Sequence, residues 1–137
     1  HGLDLIVYLL GDVREATGFS TNQQELYTGK DAITGSWLHE SGATGSGSWN
    51  FAAGNGKELV EVLGSTGKIE FSVFREAPLE LTDGDGHQEL LIEHPKHIQI
   101  HHVRKMRDCL RGEAEHPSTG LTATHTSWLM DKILGHL

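Results

Sequence analysis

Apolar and polar residues alternate in short runs through the middle of this chain, whereas both ends carry apolar residues at helical spacing. The alternating runs lie between residues 32 and 93 and are separated by glycine-rich turns, a pattern typical of antiparallel strands. At the front, apolar residues recur at helical spacing from Leu3 to Leu10, and Gly11 follows as a C-terminal cap. This order predicts an α+β fold, with a single open, mostly antiparallel sheet and helices packed on one of its faces.

The apolar spacing becomes helical again after Pro95. Two helices are predicted there, separated by a polar loop through Pro117 and Gly120. Each helix is expected to bury one face against the sheet. The residues predicted to point inward are Ile98, Val103, Met106 and Leu110 in the first of these helices, and Leu121, Trp128, Leu129 and Ile133 in the second.

A sheet that is covered by helices on one side leaves its other face open. The first hairpin is predicted to turn at residues 40–42, and its two strands carry tryptophans and glycines at even steps, hence on one face. Large exposed apolar patches usually mark interfaces, so we expect a homo-oligomer, or a second domain, to cover this face. The residues predicted to line it are Gly35, Trp37, Gly45, Gly47 and Trp49.

Length and charge narrow the classes of function. With 137 residues, the chain is predicted to form one domain, residues 1–137. Lys and Arg number 11 against 19 Asp and Glu, a net charge of −8, so nucleic acid and anionic membranes are poor partners. No apolar run approaches the ~20 residues of a membrane span. Cys109 is the single cysteine, which excludes an internal disulfide framework and favours a cytoplasmic location.

The glycine-rich segment 42–47 does not meet the requirements of a dinucleotide-binding turn. It lacks the third glycine of Gly-x-Gly-x-x-Gly, and it lies in a predicted hairpin rather than between a strand and a helix. The motifs of phosphate-binding loops, of serine hydrolases and of zinc-binding helices are also missing from the chain. No cofactor-binding residue is therefore predicted.

Ten histidines suggest a metal site. His97 and His101 stand four positions apart on a predicted helix, with His94 and His102 nearby. Two imidazoles on one helical face need a third ligand to hold zinc, and these histidines lie off the predicted buried face. We interpret them as a solvent-facing, histidine-rich helix end, and Cys109 as a buried small apolar residue. No metal ligand is predicted.

His1 and Asp4 lie three positions apart at the start of the first helix, so both side chains can face the same side. An aspartate in a first turn is also favoured by the helix dipole, and a terminal histidine often lacks a fixed position. The spacing alone therefore leaves a purely structural interpretation open for both residues.

Four segments of the chain follow a recognisable pattern. They are the His1-x-x-Asp4 helix ending in Leu10-Gly11, the hairpin Trp37–Gly45, the strand Leu59–Ile69 with its Gly64-Ser-Thr-Gly67 turn, and the helix that reaches Cys109-Leu-Arg-Gly112 before a proline and a closing helix. In this order they resemble the C-terminal domain of the Gfo/Idh/MocA oxidoreductases (glucose–fructose oxidoreductase, inositol dehydrogenase and the rhizopine enzyme). The resemblance implies a fold like that of the C-terminal domain of dihydrodipicolinate reductase.

The resemblance also implies an activity. Members are NAD(P)-dependent dehydrogenases of sugars, polyols and related hydroxyl compounds, with an N-terminal Rossmann domain that binds NAD(P) and carries a Glu-Lys-Pro lysine. His1 matches the histidine of the family's Asp-x-x-x-His pair, whose aspartate would precede this chain. With the lysine, that histidine moves the hydroxyl proton while hydride passes to the nicotinamide, and an imidazole suits this role. Asp4 is expected to contact the substrate.

The departures from the family pattern limit what the chain is expected to do alone. It contains neither Glu-Lys-Pro nor a Rossmann fingerprint, and the loop 117–125 lacks the usual Glu-Asp-Gly. Because the chain begins within a helix, we interpret it as a fragment without its Rossmann domain, inactive and unable to bind NAD(H). Two alternatives stay open, a non-catalytic oligomerisation or ligand-binding module of the same fold and a histidine-rich metalloprotein.

Overall fold

The computed structural model describes residues 1–137, in three helices and seven strands. The α+β class predicted from the alternation and the helical ends is confirmed. None of the helices combines the length and the apolarity that crossing a membrane requires. In chain order the elements are α1 (Gly2–Leu10), β1 (Val13–Thr21), β2 (Ala32–His39), β3 (Thr44–Asn50), β4 (Val60–Leu63), β5 (Gly67–Phe71), β6 (Leu79–Asp83), β7 (Gly86–Leu90), α2 (Ile100–Leu110) and α3 (Gly120–Leu134).

The single sheet predicted from the sequence is divided in two. One antiparallel sheet has the strand order β1-β2-β3 and the other has the order β4-β5-β6-β7. In the sequence, residues 51–59 separate β3 from β4. They include Gly54, Asn55 and Gly56, and glycine and asparagine are poor strand residues. The chain divides accordingly into a first unit, residues 1–56 and 118–137, and a second unit, residues 57–117.

In the first unit, α3 packs against one face of the three-stranded sheet and supplies much of the core. Leu129 and Ile133 are fully buried, as their helical spacing predicted, and Trp37 of β2 packs against them. Val7 of α1 and Val13 of β1 complete the cluster. Burying one such side chain contributes about 1.5–3 kcal/mol, so this cluster holds α1 and α3 against each other and against the sheet.

Glycines in adjacent strands let α3 come close to the sheet. The register places Gly18 of β1, Gly35 of β2 and Gly47 of β3 side by side. A Cβ atom on Gly18 would lie 2.2 Å from the backbone oxygen of Ile133, and one on Gly35 would lie 2.7 Å from Cγ2 of Ile133. Non-bonded carbon atoms need about 3.5–4.0 Å. The first two positions of the row therefore require a residue without a side chain.

The sheet face that was predicted to be open is the face that α3 covers. Gly35 and Trp37 are buried there, and the indoles of Trp37 and Trp49 lie over Gly45 and Gly47. The alternation places all of these residues on one face, as predicted, but the glycines make room for a helix and for the two indoles instead of an outside partner. The opposite face, called the outer face below, exposes mainly hydroxyl side chains and one aromatic ring: Thr17, Thr34, Ser36, Ser46, Ser48 and Phe19.

The sheet of the second unit carries a row of like charges. Glu61, Glu70, Glu80 and Glu89 lie opposite one another on successive strands. Nζ of Lys68 lies 2.6 Å from Glu70 and 3.4 Å from Glu61, and the hydrogen bond to Glu70 is the main cause that raises the pKa of Lys68. Like charges directly opposite each other destabilise a sheet. Glu70 and Glu80 each lie between two other glutamates, but Lys68 pairs with Glu70, so Glu80 is the least favourable position in the row.

Helix α2 exposes the apolar face that was predicted to be buried. No residue of this helix is buried, and Cys109 is exposed as well, contrary to its predicted burial. Leu121, in the first turn of α3, is also 82% exposed rather than inward. Helical spacing reports which residues share a face, but it does not report whether another element covers that face. The exposed residues of the predicted face are Ile98, Val103, Met106 and Leu110.

Candidate functional site

His1 and Asp4 lie at the front of α1, with Asp4 in its first turn. His1 is the N-cap residue, and its side chain makes no capping hydrogen bond. Its carbonyl oxygen accepts a hydrogen bond from the backbone N–H of Leu5 at 2.9 Å, which begins the helix. Both side chains are exposed, so the front of α1 offers an imidazole and a carboxylate to solvent within one helical turn.

The carboxylate of Asp4 is held by a hydrogen bond from α3. Oγ1 of Thr126 donates a hydrogen bond of 3.0 Å to Oδ1 of Asp4. Thr126 is 8% exposed, and it lies near the middle of α3. Sequence reasoning missed this residue, because the two partners are 122 positions apart and a threonine in a helix carries no signal of a distant contact.

The end of α1 is tied to β2 through a buried histidine. His39 is fully buried, and its Nδ1 lies 2.7 Å from the carbonyl oxygen of Gly11. Nε1 of Trp37 donates to Nε2 of His39 at 3.2 Å. An indole N–H can only donate, so Nε2 is the acceptor and Nδ1 carries the proton. The imidazole is therefore neutral, and it acts as a structural link between α1 and the sheet.

A second histidine, His125 of α3, contacts the residue with which β1 begins. Its Nε2 accepts a hydrogen bond from the backbone N–H of Val13 at 3.0 Å. Its ring stacks on Trp128, with ring centroids 5.3 Å apart. Neither His39 nor His125 was predicted as functional, and the structure gives both a positioning role around α1.

A buried aspartate fixes the loop between β1 and β2. Asp31 is 1% exposed, and it accepts hydrogen bonds from the backbone N–H groups of Gln23 at 2.6 Å and Gln24 at 2.9 Å. The bonds from Gln23 and Gln24 lower the pKa of Asp31.

Beside this loop, a shallow groove of about 360 Å³ lies on the outer face. Neither His1 nor Asp4 lines it.

In the second unit, Glu58 is a carboxylate with a shifted pKa, and its contacts also give it a structural role. Desolvation alone would raise the pKa of Glu58, but hydrogen bonds and the Arg75 guanidinium lower it overall. The donors are the hydroxyl of Ser72 and the backbone N–H of Val73, the latter at 2.6 Å. Because these groups occupy both of its carboxylate oxygens, Glu58 anchors the segment after β5.

The hairpin glycines offer no cradle for a dinucleotide. A Cβ on Gly45 would lie 2.3 Å from the indole of Trp37, and one on Gly47 would lie 2.7 Å from that of Trp49. The space that a pyrophosphate would need against this backbone is filled by the two rings, so these residues do not fit the cofactor. Nor do three or more His, Cys, Asp or Glu side chains come together as a metal site.

A family model described as the GFO/IDH/MocA C-terminal domain matches residues 1–70. That range contains α1 with His1 and Asp4, as well as the whole three-stranded sheet.

Individual proteins match over nearly the whole chain. An oxidoreductase of Formosa agariphila is 24% identical over 135 residues, which is 98% of this chain and 41% of that protein. An oxidoreductase of Agrobacterium radiobacter, solved with NAD+, L-tartaric acid and magnesium, superimposes with a TM-score of 0.78 and 23% identity over 96% of this chain and 43% of that one. UDP-N-acetylglucosamine 3-dehydrogenase of Acidithiobacillus ferrooxidans superimposes with a TM-score of 0.79 and 8% identity, over 93% of this chain and 41% of that one. The chain thus spans less than half the length of each of these proteins. At sequence identities this low, the structural similarity shows a shared fold.

Proposed function

The chain belongs to the GFO/IDH/MocA C-terminal domain family, and on this premise we propose that it is the substrate-side domain of an NAD(P)-dependent oxidoreductase acting on a sugar, polyol or related hydroxyl compound. The observation that carries the proposal is the pair His1 and Asp4, exposed within one turn at the front of α1, inside the matched range. In this proposal residues 1–137 act as one domain of a longer protein.

His1 is the proton-handling group. An imidazole that is exposed to solvent can accept the proton of a substrate hydroxyl near neutral pH. Asp4 binds the substrate through Oδ2, since Thr126 donates to Oδ1. A carboxylate oxygen accepts hydrogen bonds from hydroxyl groups, which suits a polyhydroxylated substrate. The tartaric acid in one structural neighbour and the amino-sugar nucleotide in the name of another support this class.

The nicotinamide cofactor, which accepts the hydride when bound, is held in this proposal by a Rossmann domain outside the chain. The indoles packed on Gly45 and Gly47 support this assignment. The 137-residue chain alone is expected neither to bind NADH nor to catalyse turnover. Isothermal titration of NADH into this chain is expected to give no heat beyond dilution, and tight binding would contradict the proposal.

The activity is tested on the full-length protein that carries this chain. Purified protein is incubated with NAD+ or NADP+ and a panel of aldoses, inositols, tartrate and UDP-N-acetylglucosamine, and reduced cofactor is measured by absorbance. His1→Gln is expected to lower kcat by roughly 10²–10⁴-fold, whereas His87→Gln, an exposed histidine on β7, leaves kcat unchanged. Failure of every substrate class, or an unimpaired His1→Gln variant, would refute the role given to His1.

We also propose that the protein is a homo-oligomer through the outer face. The sheet face that the sequence predicted as the interface is covered by α3, so we assign the interface to the outer face. On that face Phe19 is 83% exposed among short hydroxyl side chains. Aromatic rings such as that of Phe19 are enriched in interfaces between protein chains. Light scattering of the wild-type protein and of Phe19→Glu tests this, and a strictly monomeric wild type at high concentration would contradict it.

The acidic net charge and the single Cys109 support a cytoplasmic location and the absence of nucleic-acid or membrane partners.

A further inference from the structure

The hydroxyl of Thr126 differs from the other hydroxyls on its helix. Thr124 and Ser127 donate to the carbonyl oxygens four residues earlier, at 2.7 and 2.9 Å, as serine and threonine in helices commonly do. Thr126 instead donates across to Asp4 at 3.0 Å. The hydroxyl thus satisfies a carboxylate on another helix rather than its own backbone.

Helix α1 has little of its own to hold its first turn in place. It has nine residues, of which Val7 alone is buried, and a helix this short owes its stability to packing. Its far end is fixed twice, by the contact of Gly11 with His39 and by the contact of Val13 with His125. At its front, a side-chain hydrogen bond from Thr126 to Asp4 joins the first turn to α3.

The bond also orients the carboxylate itself. One hydrogen bond from a nearly buried hydroxyl fixes Oδ1. The carboxylate is exposed, so its second oxygen can reach a ligand in solvent from a defined direction. Preorganisation of this kind requires that a binding group be locked by a neighbour that does not itself touch the ligand.

We propose that Thr126 is a positioning residue, which holds Asp4 in the orientation that binds a substrate hydroxyl. This rests on the proposed function, and it adds a residue of α3 to the site. Since Asp4 binds substrate without taking part in proton transfer, loss of its orientation weakens binding before and during reaction alike. The expected signature is a raised KM with an unchanged kcat.

The test compares variants of the full-length protein with the substrate found by the cofactor-reduction screen. Thr126→Val removes the hydroxyl while it keeps the branched shape, and it is expected to raise KM roughly tenfold, the factor that loss of a hydrogen bond to a charged group commonly brings. Thr126→Ser is expected to restore a KM near that of wild type. Thr124→Val is the matched control on the same helix, and it should leave both constants unchanged. Thr126→Ala serves if the valine variant does not fold.

A double variant separates positioning from a general structural role. In an Asp4→Asn background, Thr126→Val should raise KM no further, because the group that it orients is already lost. Additive effects, or a KM of Thr126→Val equal to that of wild type, would overturn the assignment of Thr126 while the oxidoreductase function stands. A wild-type protein that reduces no cofactor with any substrate would overturn the proposed function first, and this assignment with it.

Discussion

Nδ1 of His39 lies 2.7 Å from the carbonyl oxygen of Gly11, and this contact joins the end of α1 to the second strand of the sheet. The histidine is fully buried, and Trp37 occupies its other nitrogen. Gly11 takes a backbone conformation with φ of 87°, which favours glycine. The turn that places α1 over the sheet therefore depends on a glycine and an imidazole that are far apart in the sequence.

Replacing His39 with phenylalanine is expected to destabilise the first unit. The ring would still fill the space, but the Trp37 indole N–H would lose its partner in a buried position. A buried donor left without a partner costs about 1–3 kcal/mol. Urea unfolding should show the loss, whereas His136→Phe, at an exposed position, should not. An unchanged free energy of unfolding for His39→Phe would contradict the link.

The close approach of α3 to Gly35 predicts that a side chain at this position destabilises the protein. Gly35→Ala places a Cβ 2.7 Å from the side chain of Ile133, and overpacking of this kind costs about 1–3 kcal/mol. In an Ile133→Ala background the same substitution should cost clearly less, because the two closest atoms, Cγ2 and Cγ1 of Ile133, are gone. Gly54→Ala is the control, since a Cβ there meets nothing within 4 Å. Equal costs in both backgrounds, measured by thermal unfolding, would refute the close approach.

The carboxylate of Asp31 predicts a dependence on pH. Backbone hydrogen bonds from Gln23 and Gln24 lower its pKa below the ordinary 3.8, so its stabilising effect is present above the unfolded-state pKa and is lost as pH falls through the lower folded-state value. Asp31→Asn should therefore be less stable than wild type near neutral pH, and the difference should shrink below pH 3.8. Denaturant titrations across this range measure it, with exposed Asp12→Asn as control. A difference that does not depend on pH would rule out the carboxylate as its cause.

The glutamate row of the second unit predicts a substitution that stabilises. Glu80 lies between Glu70 and Glu89 on neighbouring strands, so Glu80→Gln removes two unfavourable pairs. Cross-strand pairs contribute about 0.2–1 kcal/mol each, and the melting temperature should rise accordingly. The gain should be smaller at high salt, because salt screens exposed charges. Glu93→Gln, outside the strands, is the control, and a lowered melting temperature for Glu80→Gln would contradict the repulsion.

The periodicity of the sequence predicted the fold class, and it predicted which residues lie on the same face of a helix or strand. Leu129 and Ile133 are inward as expected, and Gly35 and Trp37 do lie on one face of the sheet. Periodicity could not tell which face would be covered, because that depends on how closely α3 approaches the glycines. For the same reason, the apolar stripe of α2 was expected to be buried and is exposed.

The candidate site was only partly predictable. His1 and Asp4 were identified by the resemblance of the first helix to a known pattern, and their roles stay predictions. Thr126, His39 and His125 were not predictable, because their partners are 122, 28 and 112 positions away. No local pattern records a contact that exists only after the helices have packed.

The first unit is built from two stretches of chain, residues 1–56 and 118–137, that are separated by the whole second unit. During synthesis, α1 and the three-stranded sheet leave the ribosome well before α3 has been made. The second unit, which is continuous in sequence, can fold in the meantime, since domains generally fold as units during translation. The glycine-lined face of the sheet stays uncovered throughout this interval. Nascent chains that stop before Gly120 therefore expose Trp37 to solvent and to chaperones.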